Sequence, residues 1–323
     1  MRRVVFLTYV FSTITKYSHR FPGGVSFPRV CRMYSSLLSV LLMGMVPLVG
    51  DVAVGSPGLQ YLHVSAPAPL ASEVTTALAD LHRHVSASGM LILDLQSGQE
   101  VFSRDAAVRR PIASLTKLMT ALIIVEHHSL KEHLTIPRGI PAEKGHVVHL
   151  VPGEEFTVGD VLTALLVASD NDAAETLARY HSGTSEAFVR EMNDRAISLG
   201  LTDTTYANPV GFDDPAQLST PRDVALLASY VLHNPEIRTR MSMADASIVS
   251  AQGHTVTFSN TNELLHQDAQ VIAGKTGTTD AAGQCLLSVV KEGRHEYVVV
   301  ILGSRERYAD MRVVLHALAA LFT

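Results

Sequence analysis

Two cysteines, Cys31 and Cys285, are all that this 323-residue chain contains. No disulfide framework is available, so stability has to come from a packed core, and a hydrophobic content of 47% supplies the material for one. Tryptophan is absent, and a formal net charge of −5 leaves no basic stripe of the kind that tracks a phosphate backbone. Nucleic acid is therefore excluded as a partner. Zinc-peptidase spacing is missing as well: the histidines include His127-His128 and His146-x-x-His149, but no H-E-x-x-H occurs, so no metal and no cofactor is expected. Internal repeats and low-complexity segments are lacking too, which leaves one large globular domain or two small ones.

Acidic residues are missing from the first fifty positions, where Arg2, Arg3, Lys16, Arg20, Arg29 and Arg32 precede the first acid, Asp51. Behind Arg29 and Arg32, Leu37 to Val49 is apolar, too short for a comfortable transmembrane helix and suited to the core of an export signal. Small residues at Ala53 to Gly55 offer a cleavage site, and Met1 and Met33 both fit as the start. Cys31 has no apolar run before it, which argues against a lipid-attachment box. Residues 1–55 are thus expected to be a leader or N-terminal anchor, 56–72 a Pro/Gly/Ser/Ala-rich linker, and 73–323 the folded domain.

Within that domain, Glu73 to His84 reads as a helix, and Met90 to Leu95, a turn at Gln96 to Gly98 and a run from Glu100 read as a hairpin. A second hairpin closes the chain, with "QCLLSVV", a turn at Lys291 to Arg294 and "EYVVVILG", before a helix over Tyr308 to Leu321. Between the hairpins, Leu115–Glu126, Val158–Val167, Asp172–His181, Ser185–Leu199 and Pro221–Leu232 carry apolar residues at helical spacing. Strands at both ends with helices between them predict an α/β fold in the α+β sense: one sheet built from distant sequence, with a helical insertion beside it.

Three short motifs carry chemistry. In "PIASLTKLMTALIIVEHH", Pro111 fixes a helix start and Ser114 suits its cap or first turn, so the amine of Lys117 can curl back onto the Ser114 hydroxyl as base on nucleophile. That requires a neutral amine, a shift of roughly three units from about 10.4, which full burial can supply. Ser-x-x-Lys alone arises by chance about once in a chain this long, and a surface lysine is the bland alternative. Ser169-Asp170-Asn171 falls at a break between helices, where a hydroxyl and an amide can reach a cleft, or where the triplet is an ordinary turn and cap. Lys275-Thr276-Gly277 lies in a β-type run, with Gly277 leaving room for a substrate against the strand. A phosphate loop is excluded, because Ala269 stands where its first glycine would be.

Ser-x-x-Lys, Ser-Asp-Asn and Lys-Thr-Gly in this order resemble the β-lactamase and penicillin-binding-protein superfamily. More narrowly, "ILDLQSGQEVFSRDAAVRRPIASLTKLMTAL", "LLVASDNDAAETLA", "ANPVGFDDPAQLSTPRDVALLA", "SNTNELL" and "GKTGTTDAAGQCLL" are similar, in order, to blocks of the D-alanyl-D-alanine carboxypeptidases, the low-molecular-mass penicillin-binding proteins of serine peptidase family S11. The resemblance implies a β-lactamase/transpeptidase-like fold, a mainly antiparallel sheet flanked by helices with an inserted helical subdomain. It implies a penicillin-sensitive enzyme that removes the terminal D-alanine of peptidoglycan pentapeptides. By motif, Ser114 is the nucleophile, Lys117 its base, Ser169 a proton relay, and Asn171 a backbone-binding or Lys117-orienting group. Lys275 holds Lys117 neutral and attracts the terminal carboxylate; Thr276 bonds that carboxylate; and the backbone N–H groups of Ser114 and of Thr278, beyond Gly277, form the oxyanion hole.

The resemblance also implies an exported protein, periplasmic or on the extracytoplasmic face of the membrane, with β-lactams as covalent inhibitors. The β-rich C-terminal domain of many relatives is not expected here, so any membrane association has to come from the N-terminus. Arg307 or Arg312 could add charge for the carboxylate, with a structural role the simpler reading. A class A-like β-lactamase would need an E-x-x-L-N glutamate, and "TDTTYANPVGFDD" contains none. A DD-transpeptidase or a silent penicillin-binding module stays compatible with the motifs.

Overall fold

The computed structural model describes residues 69–138 and 148–320. The expected leader, most of the linker and His146 lie outside them. The chain divides after Val64, and everything described belongs to the second unit. No helix among the described residues is long and apolar enough to cross a membrane.

In chain order the elements are α1 (Pro69–His84), β1 (Gly89–Asp94), β2 (Glu100–Arg104), a 3₁₀ turn (Ala113–Thr116), α2 (Lys117–His127), β3 (His133–Thr135), β4 (Glu155–Thr157), α3 (Val158–Val167), α4 (Asn171–Ser182), α5 (Ser185–Ser198), α6 (Pro221–His233), α7 (Pro235–Ser242), β5 (Asp245–Val249), β6 (Thr255–Ser259), α8 (Leu264–Gln267), β7 (Val271–Thr279), β8 (Gly283–Glu292), β9 (His295–Ser304) and α9 (Arg307–Ala320). Helix α1 starts four residues before Glu73, so the end of the expected linker is helical. Both predicted hairpins are present, but α7 and the β3–β4 and β5–β6 pairs had no counterpart in the sequence reading. Their runs are too short, and too exposed on one side, for a periodicity to stand out.

The sheet has the order β2-β1-β9-β8-β7, with every neighbouring pair antiparallel. Its central strands are apolar on both faces. In β9, Val298, Val300 and Leu302 join the core under the helical region, while Tyr297, Val299 and Ile301 join a second core under α1 and α9. This explains why "EYVVVILG" shows no alternation: a strand covered on both sides has no polar face to display.

Helix α2 is the axis of the helical region. Every residue from Lys117 to Ile124 is buried, and the helix touches α3, α4, α5, α6 and α7. An apolar helix with no wet side has to be central. The surrounding helices start where the sequence supplies caps: the Thr157/Asp160 capping box on α3, Asp170 on α4, Thr184 on α5, and Thr220 and Asn234 ahead of prolines on α6 and α7.

Two glycines let distant segments close on the turn before α2. A Cβ on Gly211 would lie 2.2 Å from the Ala113 carbonyl oxygen, and Gly211 has φ +101°. A Cβ on Gly277 of β7 would lie 2.8 Å from the Ser114 nitrogen. Gly211→Ala is therefore expected to lower unfolding free energy by about 2–4 kcal/mol, through backbone strain and displacement of the Ala113–Ser114 peptide. A urea midpoint unchanged from wild type would contradict this packing.

Candidate active site

Cross-strand register decides where Lys275 points. Leu91 pairs with Val300, Val300 with Leu287, and Leu287 with Lys275, so the four side chains share one face. That face meets the helical region, and Lys275 is fully buried there. Its Nζ donates to Ser169 Oγ at 2.5 Å and to the Thr276 carbonyl at 2.8 Å.

Ser114 lies in the 3₁₀ turn, and Lys117 is the first residue of α2. The sequence places Ser114 at the cap or first turn of a single α-helix; instead the tighter 3₁₀ turn precedes the helix, and Ala113 before it has φ +48°. Ser169 is also left-handed, at φ +58°. These are uncommon conformations for side chains with a Cβ and cost on the order of 1–3 kcal/mol each, so surrounding packing has to hold them. Next to Ser169, Asp170 caps α4 through Ala173 N (2.8 Å) and accepts Val148 N (3.2 Å).

The Lys117 amine has three polar neighbours: Ser114 Oγ at 3.0 Å, Asn171 Oδ1 at 2.7 Å and the Val210 carbonyl at 2.6 Å. Two of these, the amide oxygen and the carbonyl, can only accept. A neutral amine has two N–H groups and one lone pair, so both N–H groups are committed and the lone pair faces Ser114. Burial lowers the amine to about 7, against an opposing pull from Asp170. From the sequence, Lys275 is expected to hold Lys117 neutral. In the structure burial does so, and the repulsion falls on Lys275, which burial and then the charges of Lys117 and Arg307 push well below the ordinary lysine range. The unfolded chain takes up the Lys117 proton between about 7 and 10.5, so stability from this site grows as pH rises through that window.

Both lysines are buried behind the wall of a cleft of about 580 Å³, each bonded to a hydroxyl that lines it, Lys117 to Ser114 and Lys275 to Ser169. Ser114, Ser169, Asn171, Thr276, Gly277 and Thr278 line it, so the motif residues named from sequence meet in one place. They do not converge on one hydroxyl, however: Lys117 reaches Ser114 and Lys275 reaches Ser169. Thr276 Oγ1 donates to Thr261 Oγ1 at 2.6 Å.

Arg307 lines the cleft, donates from Nη1 to the Gly277 and Cys285 carbonyls at 2.9 Å, and from Nη2 to Thr278 Oγ1. Arg312 turns to Gln267 on the outer surface, so of the two only Arg307 lines the cleft, where its hydrogen bonds also brace β7 and β8. Sequence reading missed Val210, whose carbonyl is invisible in a side-chain motif, and Asp213, which accepts from Ala281 N (3.0 Å) and Thr279 Oγ1 across the cleft. The signal was the "NPVGF" turn: Asn208 Oδ1 accepts from Gly211 N (2.7 Å) and Phe212 N (3.0 Å), shaping the loop that carries both. Among the described residues no cluster of His, Cys, Asp and Glu could hold a metal.

Comparisons with known proteins agree with one another. The family model for D-alanyl-D-alanine carboxypeptidase matches residues 73–306. The chain is 29% identical over 287 residues to the D-alanyl-D-alanine carboxypeptidase DacF of Bacillus subtilis, covering 86% of this chain and 69% of that one. It is 31% identical to DacC of Escherichia coli, covering 77% of this chain and 63% of the relative. The crystal structure of the Streptomyces K15 DD-transpeptidase superposes with a TM-score of 0.68 at 27% identity, covering 74% of this chain and 97% of that one.

If the Lys117 lone pair activates Ser114, acylation of Ser114 by an electrophilic acyl reagent, followed by intact-protein mass, falls tenfold per pH unit below about 7 and levels off above it. Lys117→Arg, which cannot shed its proton, is expected to lose at least about 10³-fold. A flat profile through neutrality would contradict the assignment.

Proposed function

The chain belongs to the D-alanyl-D-alanine carboxypeptidase family, and from that premise we propose that it is a serine-type D-Ala-D-Ala carboxypeptidase acting through an acyl-enzyme on Ser114. The observation that carries the reading is the buried Lys117 amine, 3.0 Å from Ser114 Oγ and bonded to two acceptors, the Asn171 amide oxygen at 2.7 Å and the Val210 carbonyl at 2.6 Å.

In this reading Ser114 Oγ attacks the carbonyl between the two terminal D-alanines while its proton passes to Lys117 Nζ. The backbone N–H groups of Ser114 and Thr278, on opposite walls of the cleft, receive the developing oxyanion. Collapse breaks the C–N bond, and the proton taken up by Lys117 reaches the leaving amine through the Ser169 hydroxyl, which gives its own proton to the amine and takes the Lys117 proton in return, so that Lys117 is neutral again; Lys275 holds the Ser169 hydroxyl in place. D-alanine leaves, and water hydrolyses the ester with Lys117 again as base. Asn171 orients Lys117 and offers its amide to the donor peptide. The substrate's terminal carboxylate is met by Lys275, Thr276, Thr278 and Arg307; an anion there compensates the buried positive charge that disfavours the Lys275 ammonium.

The peptidoglycan stem peptide as substrate and covalent capture of β-lactams follow from the same cleft chemistry. An exported location, periplasmic or on the outer membrane face, is supported by the basic, acid-free first fifty residues and by where that substrate lies; attachment through an uncleaved leader is part of the proposal. The domain limits proposed are a leader over 1–55, a linker shortened to end before Pro69, and a catalytic domain over the rest. Transpeptidation is the second reading, favoured by the likeness to the K15 DD-transpeptidase. A class A-like β-lactamase is disfavoured because the 202–214 loop contains no glutamate to activate a deacylating water.

Intact-mass spectrometry with a penicillin is expected to show a long-lived adduct on wild type and none on Ser114→Ala, and a D-Ala-D-Ala stem peptide is expected to release D-alanine with wild type alone. Labelling without release points to a transpeptidase or a silent binding module, and rapid penicillin turnover to a β-lactamase. Lys275→Gln is expected to lower kcat/KM for the free carboxylate by about 10²-fold and much less for a C-terminally amidated penicillin-like probe, since the deleted charge faces the carboxylate.

A further inference from the structure

Helices α2 and α4 meet at both ends. At their N-termini Lys117 Nζ touches Asn171 Oδ1 at 2.7 Å. Near their C-termini, roughly 16 Å away at 1.5 Å per residue, His128 Nε2 lies 2.9 Å from His181 Nδ1. The outer nitrogens of the two rings are taken by carboxylates: His128 Nδ1 contacts Glu132 Oε2 at 2.9 Å, and His181 Nε2 contacts Glu191 Oε2 of α5 at 2.7 Å. The result is one unbroken chain, Glu132, His128, His181, Glu191, that crosses three segments of the helical region.

A proton count gives the charge this chain carries when every contact in it is a hydrogen bond. Each ionised carboxylate accepts, so the two outer ring nitrogens are protonated. The central N···N contact is a hydrogen bond only with one proton in it. That makes three protons on four nitrogens, one more than two neutral imidazoles carry. The carboxyls are held ionised: hydrogen bonds from His128, Ser129 and Tyr180 hold Glu132 below its usual range, and at Glu191 hydrogen bonds from Ser182 and His181 outweigh burial, which acts the other way. The other groups facing the pair are His127, whose Nδ1 contacts the Ile123 carbonyl and whose ring centre is 4.9 Å from that of His181, and Tyr180, whose ring centre is 4.9 Å from that of His128. On the α2–α5 seam Glu126 and Arg195 neutralise each other.

We propose that His128 and His181 are positioning residues: a clamp that is closed only when the two rings share one proton, and that holds α2 and α4 in register so that Lys117 meets Asn171. Removing the shared proton leaves two lone pairs facing each other at 2.9 Å; adding another sets two cationic N–H groups head to head. Both open the contact. The clamp therefore has an optimum in pH, separate from the ionisation of Lys117, and links the bulk proton concentration to the base through two packed helices. It rests on the reading of Lys117 as base given above.

The test on the wild-type chain is long-range ¹H–¹⁵N spectroscopy of ¹⁵N-histidine-labelled protein over roughly pH 5 to 8. A two-bond coupling between His128 Nε2 and His181 Nδ1 that is present within a window and lost at both ends supports the clamp; two rings that titrate independently without coupling overturn it. The second arm compares His128→Gln and His181→Gln with wild type in the pH profile of D-alanine release. Release slowed about 2- to 30-fold, in kcat more than in KM and with the profile displaced, supports positioning; variants less stable but with a superimposable profile overturn it. If the wild type itself forms no penicillin adduct, the carboxypeptidase reading fails, and the coupling measurement alone decides the pair.

Discussion

One buried amine organises this molecule. Lys117 is out of contact with water, and the protein offers it two acceptors and one hydroxyl, a set whose hydroxyl can give its proton to a neutral amine, the form that burial favours. Those partners come from three stretches of chain: the 3₁₀ turn, the start of α4, and the 202–214 loop. Holding them together is what the helical region does. The fully buried α2 supplies the axis, Asp170 fixes the start of α4, and Asn208 folds the loop whose Val210 carbonyl completes the set.

This arrangement works against stability. A lysine lowered to about 7 is a group that the unfolded chain would rather protonate, and Ala113 and Ser169 add left-handed backbone on both sides of it. The surplus that tolerates these comes from elsewhere, chiefly a sheet packed on both faces, with a second core under α1 and α9 that takes no part in the site. The division is physical: one core positions the chemistry under strain, and the other is free to be well packed. With only one cysteine in the described residues, Cys285, and that one buried and free, covalent cross-linking contributes nothing there.

Much of this was legible in the sequence, and the gaps have specific causes. Val158–Val167 was found to the residue because a capping box marks its start and an apolar period runs its length. Ser114, Ser169, Asn171 and Lys275 are named from three short motifs and from the resemblance that their order carries, and the fold brings them together with Lys117. What escaped was contributed by the main chain or by register: the Val210 carbonyl, the 3₁₀ turn at Ser114, and the partition of two lysines between two hydroxyls. Arg307 stays open in the sequence because an arginine three residues beyond a strand looks the same whether it braces the sheet or faces a ligand, and here it touches the carbonyls of β7 and β8 while also lining the cleft. Of the paired histidines the sequence singles out only His128, within a metal pattern that omits His181, because His181 lies 53 residues away along the chain.

The close approach of Gly277 to the Ser114 amide has a temporal consequence. Strand β7 lies more than 150 residues downstream of the 3₁₀ turn that carries Ser114, so a nascent chain emerges with Ser114 and Lys117 long before the strand that packs against the Ser114 amide has been synthesised. Until that strand docks, Lys117 is an ordinary ammonium and Ser114 an ordinary alcohol. The enclosure of Ser114 and Lys117 is thus a property of the finished tertiary structure and is absent while the polypeptide grows.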